Sequence, residues 1–259
     1  MRKITIKKIL SQKNKSPITC LTAYTKNIAK IVDKYCDIIL VGDSLGMVLY
    51  GMKSTREVKI EQMILHGKTV KEFSKRSLVV VDMPYKTYIS KRIAYKNARK
   101  IIRHTKCDAL KLEGGKNIAE IIKFLVKKGI PIVGHIGLLP QTSSNFKLQG
   151  KNSNQRKKIL NDAIEVSRAG AFAIVVECVV ENLAKEITET IKIPTIGIGA
   201  SRYCDGQILV LDDMIGLSDF FPKFVKKYSN LKRNIELSVK RYVKDVKLRK
   251  FPFNKNIYK

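Results

Sequence analysis

The chain has 259 residues, of which 44% are hydrophobic, so it can bury a sizeable core in one large α/β domain or two small ones. Its formal charge of +29 comes from lysines spread along the whole chain without interleaved aromatic residues, a pattern that disfavours nucleic-acid binding. No stretch reaches the ~18 to 20 apolar residues of a membrane helix.

The N-terminal stretch, MRKITIKKILSQKNKSP, is basic, and its apolar residues are scattered among lysines. It lacks the continuous apolar region of a signal peptide, so we expect a cytoplasmic protein with no membrane association. The five cysteines include no Cys-x-x-Cys pair, which argues against a disulfide framework and against a thiolate zinc site.

Short apolar, β-branched runs recur along the chain and predict eight strands. They are ITCLTAY (18–24), IILVGDS (38–44), LVVVDMP (78–84), ALKLEGG (109–115), IPIVGHI (130–136), AFAIVVEC (171–178), IPTIGIGA (193–200) and GQILVLDDM (206–214). Most of these runs lack polar alternation, which is typical of strands covered on both faces.

Segments with helical spacing lie between most of the predicted strands, at 27–34, 60–74, 93–104, 118–128, 155–169 and 181–190. This alternation predicts a (β/α)8 TIM barrel occupying residues 1–259 as a single domain. A doubly wound open sheet is the alternative, but no Gly-x-Gly-x-x-Gly follows the first strand. The gap at 201–205 is too short for a full helix, so the barrel is expected to be irregular there.

The last part of the chain, residues 223–259, is predicted to be a basic helical extension. Its apolar residues suit the buried face of a helix packed on the body, with a solvated basic face opposite. These residues are Ile235, Leu237, Val239, Tyr242, Val243 and Val246.

Polar residues interrupt the apolar runs near the carboxyl ends of the predicted strands. They are Asp43, Ser44, Asp82, Lys111, Glu113, His135 and Glu177. In a barrel these strand ends converge on the face where active sites are built, so we expect one shared site. Converging carboxylates repel one another unless they hold a cation or retain protons. The hard oxygen ligands of Asp43, Asp82 and Glu113 favour Mg²⁺, completed by substrate oxygens and water.

Two of these residues allow more than one interpretation. Lys111, within an apolar strand, needs an anionic partner, which is either a substrate carboxylate or a neighbouring Asp or Glu. His135 is either a donor to substrate or a hydrogen-bonded structural residue. His66 and His104 fall in predicted helices and are expected to be solvated or structural.

The segment GDSLG (42–46) also fits Gly-x-Ser-x-Gly, the nucleophile elbow of serine hydrolases. A triad would need a histidine to activate Ser44. None of the three histidines has an aspartate three residues before it, as GDSL esterases require, and Asp43 next to Ser44 does not lower the pKa of the serine. The hydrolase interpretation is therefore disfavoured.

Several blocks of the sequence, in the same order, resemble the 3-methyl-2-oxobutanoate (ketopantoate) hydroxymethyltransferase family from about residue 4 to about residue 247. They are LVGDSLGMVLYG, TREVKIEQMILHGKTV, VVVDMPY, LKLEGG, VGHIGLLPQ, VVECV, IPTIGIGAS, CDGQILVLDDMIGL and PKFVKKY. The resemblance implies a (β/α)8 barrel, an Mg²⁺ enzyme of pantothenate biosynthesis and a large homo-oligomer, commonly a decamer. It also implies that the enzyme transfers a one-carbon unit from 5,10-methylenetetrahydrofolate to 3-methyl-2-oxobutanoate, giving 2-dehydropantoate.

Matched block by block, the resemblance implies roles for the strand-end residues. Asp43, Asp82 and Glu113 match the metal site of the family. Ser44 and Lys111 match groups that bind the ketoacid, and Asp43 and Asp82 belong to that substrate site as well. Glu177 matches the catalytic base, which removes the C3 proton of the ketoacid.

The sequence departs from the family pattern at Thr25, Val180 and Ser201, where the family has Asp, Pro and Gly, and in a short loop after Gln141. If the backbone at Ser201 had positive φ, the side chain would add about 1–2 kcal/mol of strain. Two alternatives stay open. One is a related Mg²⁺ ketoacid lyase of the phosphoenolpyruvate mutase/isocitrate lyase type, whose Lys-x-x-Cys-Gly block is missing from this sequence. The other is a nucleic-acid-binding protein on an inactive barrel.

Overall fold

The computed structural model describes residues 3–143, 147–219 and 221–258. Eight parallel strands pair in chain order, and the last pairs with the first, which closes a barrel. The strands are β1 Ile18–Thr22, β2 Ile38–Val41, β3 Leu78–Asp82, β4 Ala109–Glu113, β5 Ile132–Gly137, β6 Ala173–Glu177, β7 Thr195–Ile198 and β8 Gly206–Leu209. The prediction of a (β/α)8 barrel is confirmed, and each strand lies within or next to its predicted run.

Helices follow most strands. They are α1 Ile6–Ser11, α2 Lys26–Tyr35, α3 Leu45–Tyr50, α4 Ile60–Phe73, α5 Lys91–Thr105, α6 Lys116–Lys127, α7 Ser153–Arg168, α8 Glu181–Thr190, α9 Leu211–Met214 and α10 Leu231–Lys247. The six predicted helices between strands are confirmed, with small differences at their ends. As expected from the short gap at 201–205, no helix separates β7 from β8 in this fully described stretch.

Two predictions about element ends are wrong. The run predicted as the eighth strand extends to residue 214, but β8 stops at Leu209 and α9 follows. Asp212 and Asp213 lie in the first turn of α9, where carboxylates favour the positive end of a helix. The second strand was predicted to extend to residue 44, but β2 ends at Val41. The apolar residues after Ser44 form α3.

The barrel interior is filled by one apolar cluster to which every strand contributes. Its strand members are Ile18, Cys20, Ile38, Leu78, Val80, Ala109, Val133, Ala173, Val175, Ile196 and Ile208. Ile4 and Ile9 from the N-terminal segment join the same cluster. The N-terminal half of the barrel is therefore a packed core, which leaves the carboxyl ends of the strands for polar groups.

The chain divides into two compact units, Met1–Val210 and Leu211–Lys259. The first unit contains the whole barrel, and the prediction of a single domain stays a prediction. In the second unit α10 confirms the predicted basic helix, but no residue of α10 is buried. All six apolar residues of its predicted buried face are at least 41% exposed, and the prediction that this face packs on the body stays a prediction. Periodicity identifies an apolar stripe on a helix without specifying what covers it.

Among the described residues, no helix combines the length and apolarity needed to cross a membrane. The short loop predicted after Gln141 falls partly on residues 144–146, which lie outside the described residues.

Candidate active site

The pairing of neighbouring strands sets the site. Asp82 of β3 is the register partner of Lys111 of β4, and Glu113 of β4 is the partner of His135 of β5. Glu177 ends β6, opposite Gly137 at the end of β5. The carboxyl ends of β3 to β6 therefore carry most of the predicted polar residues side by side, as expected for this fold.

Asp43 and Asp82 form the first part of the site. The backbone N–H of Asp43 donates to Asp82 Oδ2 at 3.0 Å, and both side chains are buried. Burial raises the pKa of the Asp43 carboxyl well above its usual range, and the nearby Asp82 and Glu113 raise it further. Burial likewise raises the pKa of Asp82, although Lys111 and the Asp43 N–H oppose that shift.

Lys111 is the cation of this group. Its Nζ lies 3.1 Å from Asp82 Oδ1 and 3.8 Å from Glu113 Oε1, and its side chain is only 5% exposed. Burial lowers the pKa of the ammonium, but Asp82, Glu113 and Asp43 outweigh it and raise the pKa. The anionic partner of Lys111 was expected to be either a substrate carboxylate or a neighbouring Asp or Glu. The structure shows the second of these, Asp82 and Glu113.

His135 joins the two glutamates. Its Nδ1 lies 3.5 Å from Glu113 Oε1 and its Nε2 lies 3.2 Å from Glu177 Oε2. Burial and Lys111 lower the pKa of the imidazole, but the two glutamates outweigh them and raise it to about 9. His135 Nδ1 also lies 3.3 Å from Lys111 Nζ, so the ring links Lys111 and Glu113 to Glu177, whose side chain is 14% exposed.

Ser44 does not have the surroundings of a nucleophile. Its Oγ lies 2.8 Å from the hydroxyl of Tyr24, while His135 is engaged with Glu113 and Glu177. Tyr24 is itself held through its carbonyl by His66, whose Nδ1 lies 2.7 Å away and whose Nε2 contacts Tyr50. This places His66 in the structural role expected for it and agrees with the rejection of the hydrolase interpretation.

Gln141 is a member of the site that sequence reasoning missed. Its side chain is 1% exposed, and its Nε2 donates to Asp43 Oδ2 at 2.8 Å. The residue lies in the loop after β5 rather than at a strand end, so the strand-end pattern did not include it. Its only signal in the sequence was its place at the end of the block VGHIGLLPQ.

The charges of the site suit an added cation. The three carboxyl groups of Asp43, Asp82 and Glu113 are buried around a single ammonium, that of Lys111, and Asp82 Oδ1 has an ion pair with Lys111 at 3.1 Å but no well-aligned hydrogen bond. Among residues 3–143, 147–219 and 221–258, however, no three Asp, Glu, His or Cys side chains converge closely enough to hold a metal by themselves. The donor set fits a hard cation with few protein ligands, such as Mg²⁺.

The three departures from the family pattern lie on unstrained backbone. The non-glycine residues with positive φ in the described chain do not include Ser201, so the conditional strain does not arise. Val180 has φ −54°, a value that proline also adopts, and Thr25 caps the start of α2 with an extended backbone.

Gly137 is required by the close approach of two strand ends. Its φ is +91°, and a Cβ there would lie 2.3 Å from the carbonyl oxygen of Glu177. We expect Gly137→Ala to lose about 1–2 kcal/mol of unfolding free energy through backbone strain and about 1–3 kcal/mol more through the clash. Urea denaturation measures the loss.

The matched control for this variant is Gly129→Ala. Gly129 also has positive φ, +76°, but a Cβ there meets nothing within 4 Å, so only the strain remains. Equal losses in the two alanine variants would show that the Glu177 carbonyl moves aside at no cost, contrary to this expectation.

The closed parallel barrel and the buried acid–base residues at its carboxyl ends define an enzyme of the (β/α)8-barrel class. The family model described as ketopantoate hydroxymethyltransferase matches residues 3–254. The chain belongs to the ketopantoate hydroxymethyltransferase family, and is thus a transferase.

Similar proteins extend over the whole chain. The 3-methyl-2-oxobutanoate hydroxymethyltransferase of Pelagibacter ubique is 54% identical over 255 residues, covering 97% of this chain and 99% of that protein. The protein of the same name from Bartonella henselae is 50% identical over 263 residues, covering 100% of this chain and 96% of that one. These likenesses support ketopantoate hydroxymethyltransferase activity for this chain.

Solved structures with the same fold are far more distant in sequence. A 2,3-dimethylmalate lyase of the PEP mutase/isocitrate lyase superfamily aligns with TM-score 0.63 at 11% identity, covering 97% of this chain and 87% of that one. A phosphonopyruvate hydrolase aligns with TM-score 0.64 at 8% identity, covering 97% and 93%. At such identities the likeness establishes the fold alone, so it lends no support to the lyase alternative.

Proposed function

We propose that the enzyme transfers a hydroxymethyl group from 5,10-methylenetetrahydrofolate to 3-methyl-2-oxobutanoate. With one water, the products are 2-dehydropantoate and tetrahydrofolate, in the pathway to pantothenate. The observation that carries the proposal is the group of buried charges at one end of the barrel, in which Lys111 contacts Asp82 and His135 contacts Glu177. The family's name supports the ketoacid substrate, while the folate donor rests on the sequence resemblance.

Asp43 and Asp82 would hold Mg²⁺, with Glu113 as a further proposed ligand. Support comes from the excess of buried carboxylates and from Asp82 Oδ1, which accepts no well-aligned hydrogen bond. A bound cation would keep Asp43 ionised against the burial that raises its pKa. When bound, Mg²⁺ polarises the keto group of the substrate and acidifies the proton on the neighbouring carbon.

Lys111 and Ser44 would bind the carboxylate end of the ketoacid. Lys111 keeps its charge because the neighbouring carboxylates raise its pKa, so it can pair with the substrate carboxylate once a bound cation offsets them. The hydroxyl of Ser44 shares one hydrogen bond with Tyr24, which orients it while leaving capacity for a second partner.

Glu177 would act as the base. It removes the single proton on C3, and the electron pair left there forms the bond to the methylene carbon of the folate as one of the two bonds from that carbon to nitrogen breaks. The second carbon–nitrogen bond breaks as the oxygen of one water replaces it, which gives the hydroxymethyl group, and the two nitrogens take up protons to give tetrahydrofolate. The side chain is 14% exposed, so it can reach a bound substrate, and His135 Nε2 lies 3.2 Å from its Oε2.

One assay tests the ketoacid half of the reaction by itself. The protein is incubated with Mg²⁺ in deuterium oxide, and loss of the C3 proton signal of 3-methyl-2-oxobutanoate is followed by NMR, first without folate and then with it. We expect Mg²⁺-dependent exchange without folate and 2-dehydropantoate once folate is added. As a control, 3,3-dimethyl-2-oxobutanoate has no C3 proton and should give no product. Absence of both exchange and product in the native enzyme would refute the proposal.

The homo-oligomer, commonly a decamer in the family, and the cytoplasmic location stay predictions. Light scattering on a sizing column measures the first of these directly.

A further inference from the structure

Gln141 has an unusual number of contacts for a residue in a loop. Its Nε2 donates to Asp43 Oδ2 at 2.8 Å and to the carbonyl of Met83 at 3.0 Å, and its Oε1 accepts from the hydroxyl of Tyr88 at 2.5 Å. With the side chain 1% exposed, these contacts are made out of water. Buried amides satisfied on every side hold a single orientation.

The chemistry of the partners fixes which way the amide points. The Met83 carbonyl can only accept, so the amide nitrogen must face it and the oxygen must face Tyr88. Tyr88 in turn accepts from the backbone N–H of Glu113 at 3.3 Å, and of the two acceptors near its hydroxyl, Gln141 Oε1 at 2.5 Å is closer than the Glu113 carbonyl at 3.2 Å. In this orientation the side-chain nitrogen of Gln141 faces Asp43 and donates to it.

The backbone of Gln141 reaches a second carboxylate. Its N–H donates to Glu113 Oε2 at 3.0 Å, and its carbonyl accepts from Arg56 Nε at 2.8 Å. One loop residue thus contacts two of the carboxylates that we assign to the metal site, and Arg56 fixes the loop residue from the other side.

We propose that Gln141 is a positioning residue that occupies one oxygen of Asp43 and one of Glu113 and so fixes how both carboxylates face the cation and the ketoacid. What those carboxylates bind rests on the proposed function. The contacts of Gln141 with Asp43 and Glu113 do not depend on that proposed function. Partners of this kind behind a metal ligand control its affinity by roughly 10- to 100-fold.

The test variant is Gln141→Met, which keeps the length of the side chain and removes its hydrogen bonds. The backbone N–H to Glu113 is retained, so any loss belongs to the side-chain contacts. We expect the Mg²⁺ concentration for half-maximal C3 exchange to rise roughly 10- to 100-fold, and Mg²⁺ binding measured by calorimetry to weaken in parallel. The control is Gln62→Met, which removes a hydrogen bond to the Lys59 N–H outside the site and should leave both values unchanged.

A second measurement is independent of catalysis. The side-chain amide signal of Gln141, assigned by its loss in Gln141→Met, should move when Asp43→Asn replaces the carboxyl group that accepts its hydrogen bond by an amide. Unchanged Mg²⁺ dependence in Gln141→Met, or an amide signal indifferent to Asp43→Asn, would overturn the inference. If the native enzyme exchanges no C3 proton, the proposed function fails, and the amide signal still decides the role of Gln141.

Discussion

Glu177→Gln is expected to bind 3-methyl-2-oxobutanoate with nearly native affinity and to exchange its C3 proton roughly 10²- to 10⁴-fold more slowly. Glutamine keeps the shape of the side chain and can still contact His135, which lies 3.2 Å from Glu177 Oε2. It has no basic oxygen to accept the proton. Deuterium exchange followed by NMR gives the rate, and calorimetry with Mg²⁺ present gives the affinity.

The same substitution four residues further on provides the control. Glu181 begins α8, is exposed and pairs only loosely with Arg202, at 3.5 Å. Glu181→Gln should therefore exchange the proton at the native rate. Near-normal exchange in Glu177→Gln would move the base to another residue.

Asp82→Ala should abolish Mg²⁺-dependent ketoacid binding. It removes a proposed metal ligand and the closest anionic partner of Lys111, at 3.1 Å. Because breaking a buried ion pair costs about 3–5 kcal/mol, the variant will also be less stable. Asp82→Asn keeps the shape and tests the charge alone, and we expect it to lose the same binding. Calorimetry with and without Mg²⁺ measures both variants.

Loss of stability and loss of binding must be separated for Asp82. Asp108 accepts from Lys3 and Lys71 away from the site, so Asp108→Ala breaks ion pairs that are partly buried and distant from the proposed metal ligands. We expect Asp108→Ala to lower the melting temperature without weakening ketoacid binding. Ketoacid affinity unchanged in Asp82→Asn would remove Asp82 from the set of metal ligands.

The barrel could be predicted because each of its strands is a short apolar run in the sequence. Runs such as LVVVD are apolar without alternation, which is typical of a strand covered on both faces, and Asp82 ends this run where a polar group can reach the site. The same rule located Lys111, Glu113 and Glu177. Where a site residue sits at the end of an apolar strand, sequence and structure coincide.

The rest depends on contacts between distant parts of the chain. Gln141 and Tyr24 are defined as site residues by what they touch, Asp43 and Ser44 respectively, and no local pattern records those contacts. The segment after Ser44 is apolar enough to continue a strand, but it forms the helix α3. This helix ends at Gly51, whose φ is 65°. The apolar stripe of α10 has the periodicity of a buried helix, and that periodicity does not specify what covers the stripe.

The pairing of Asp82 with Lys111 and of Glu113 with His135 makes activity a measure of correct refolding. A slip of β4 by one residue would turn Lys111 and Glu113 together away from the barrel interior, because successive side chains of a strand point to opposite faces. A misthreaded but compact chain would then show normal helix content by circular dichroism and no turnover. Recovered C3 exchange after dilution from urea therefore counts only molecules whose eight strands closed in the native alignment.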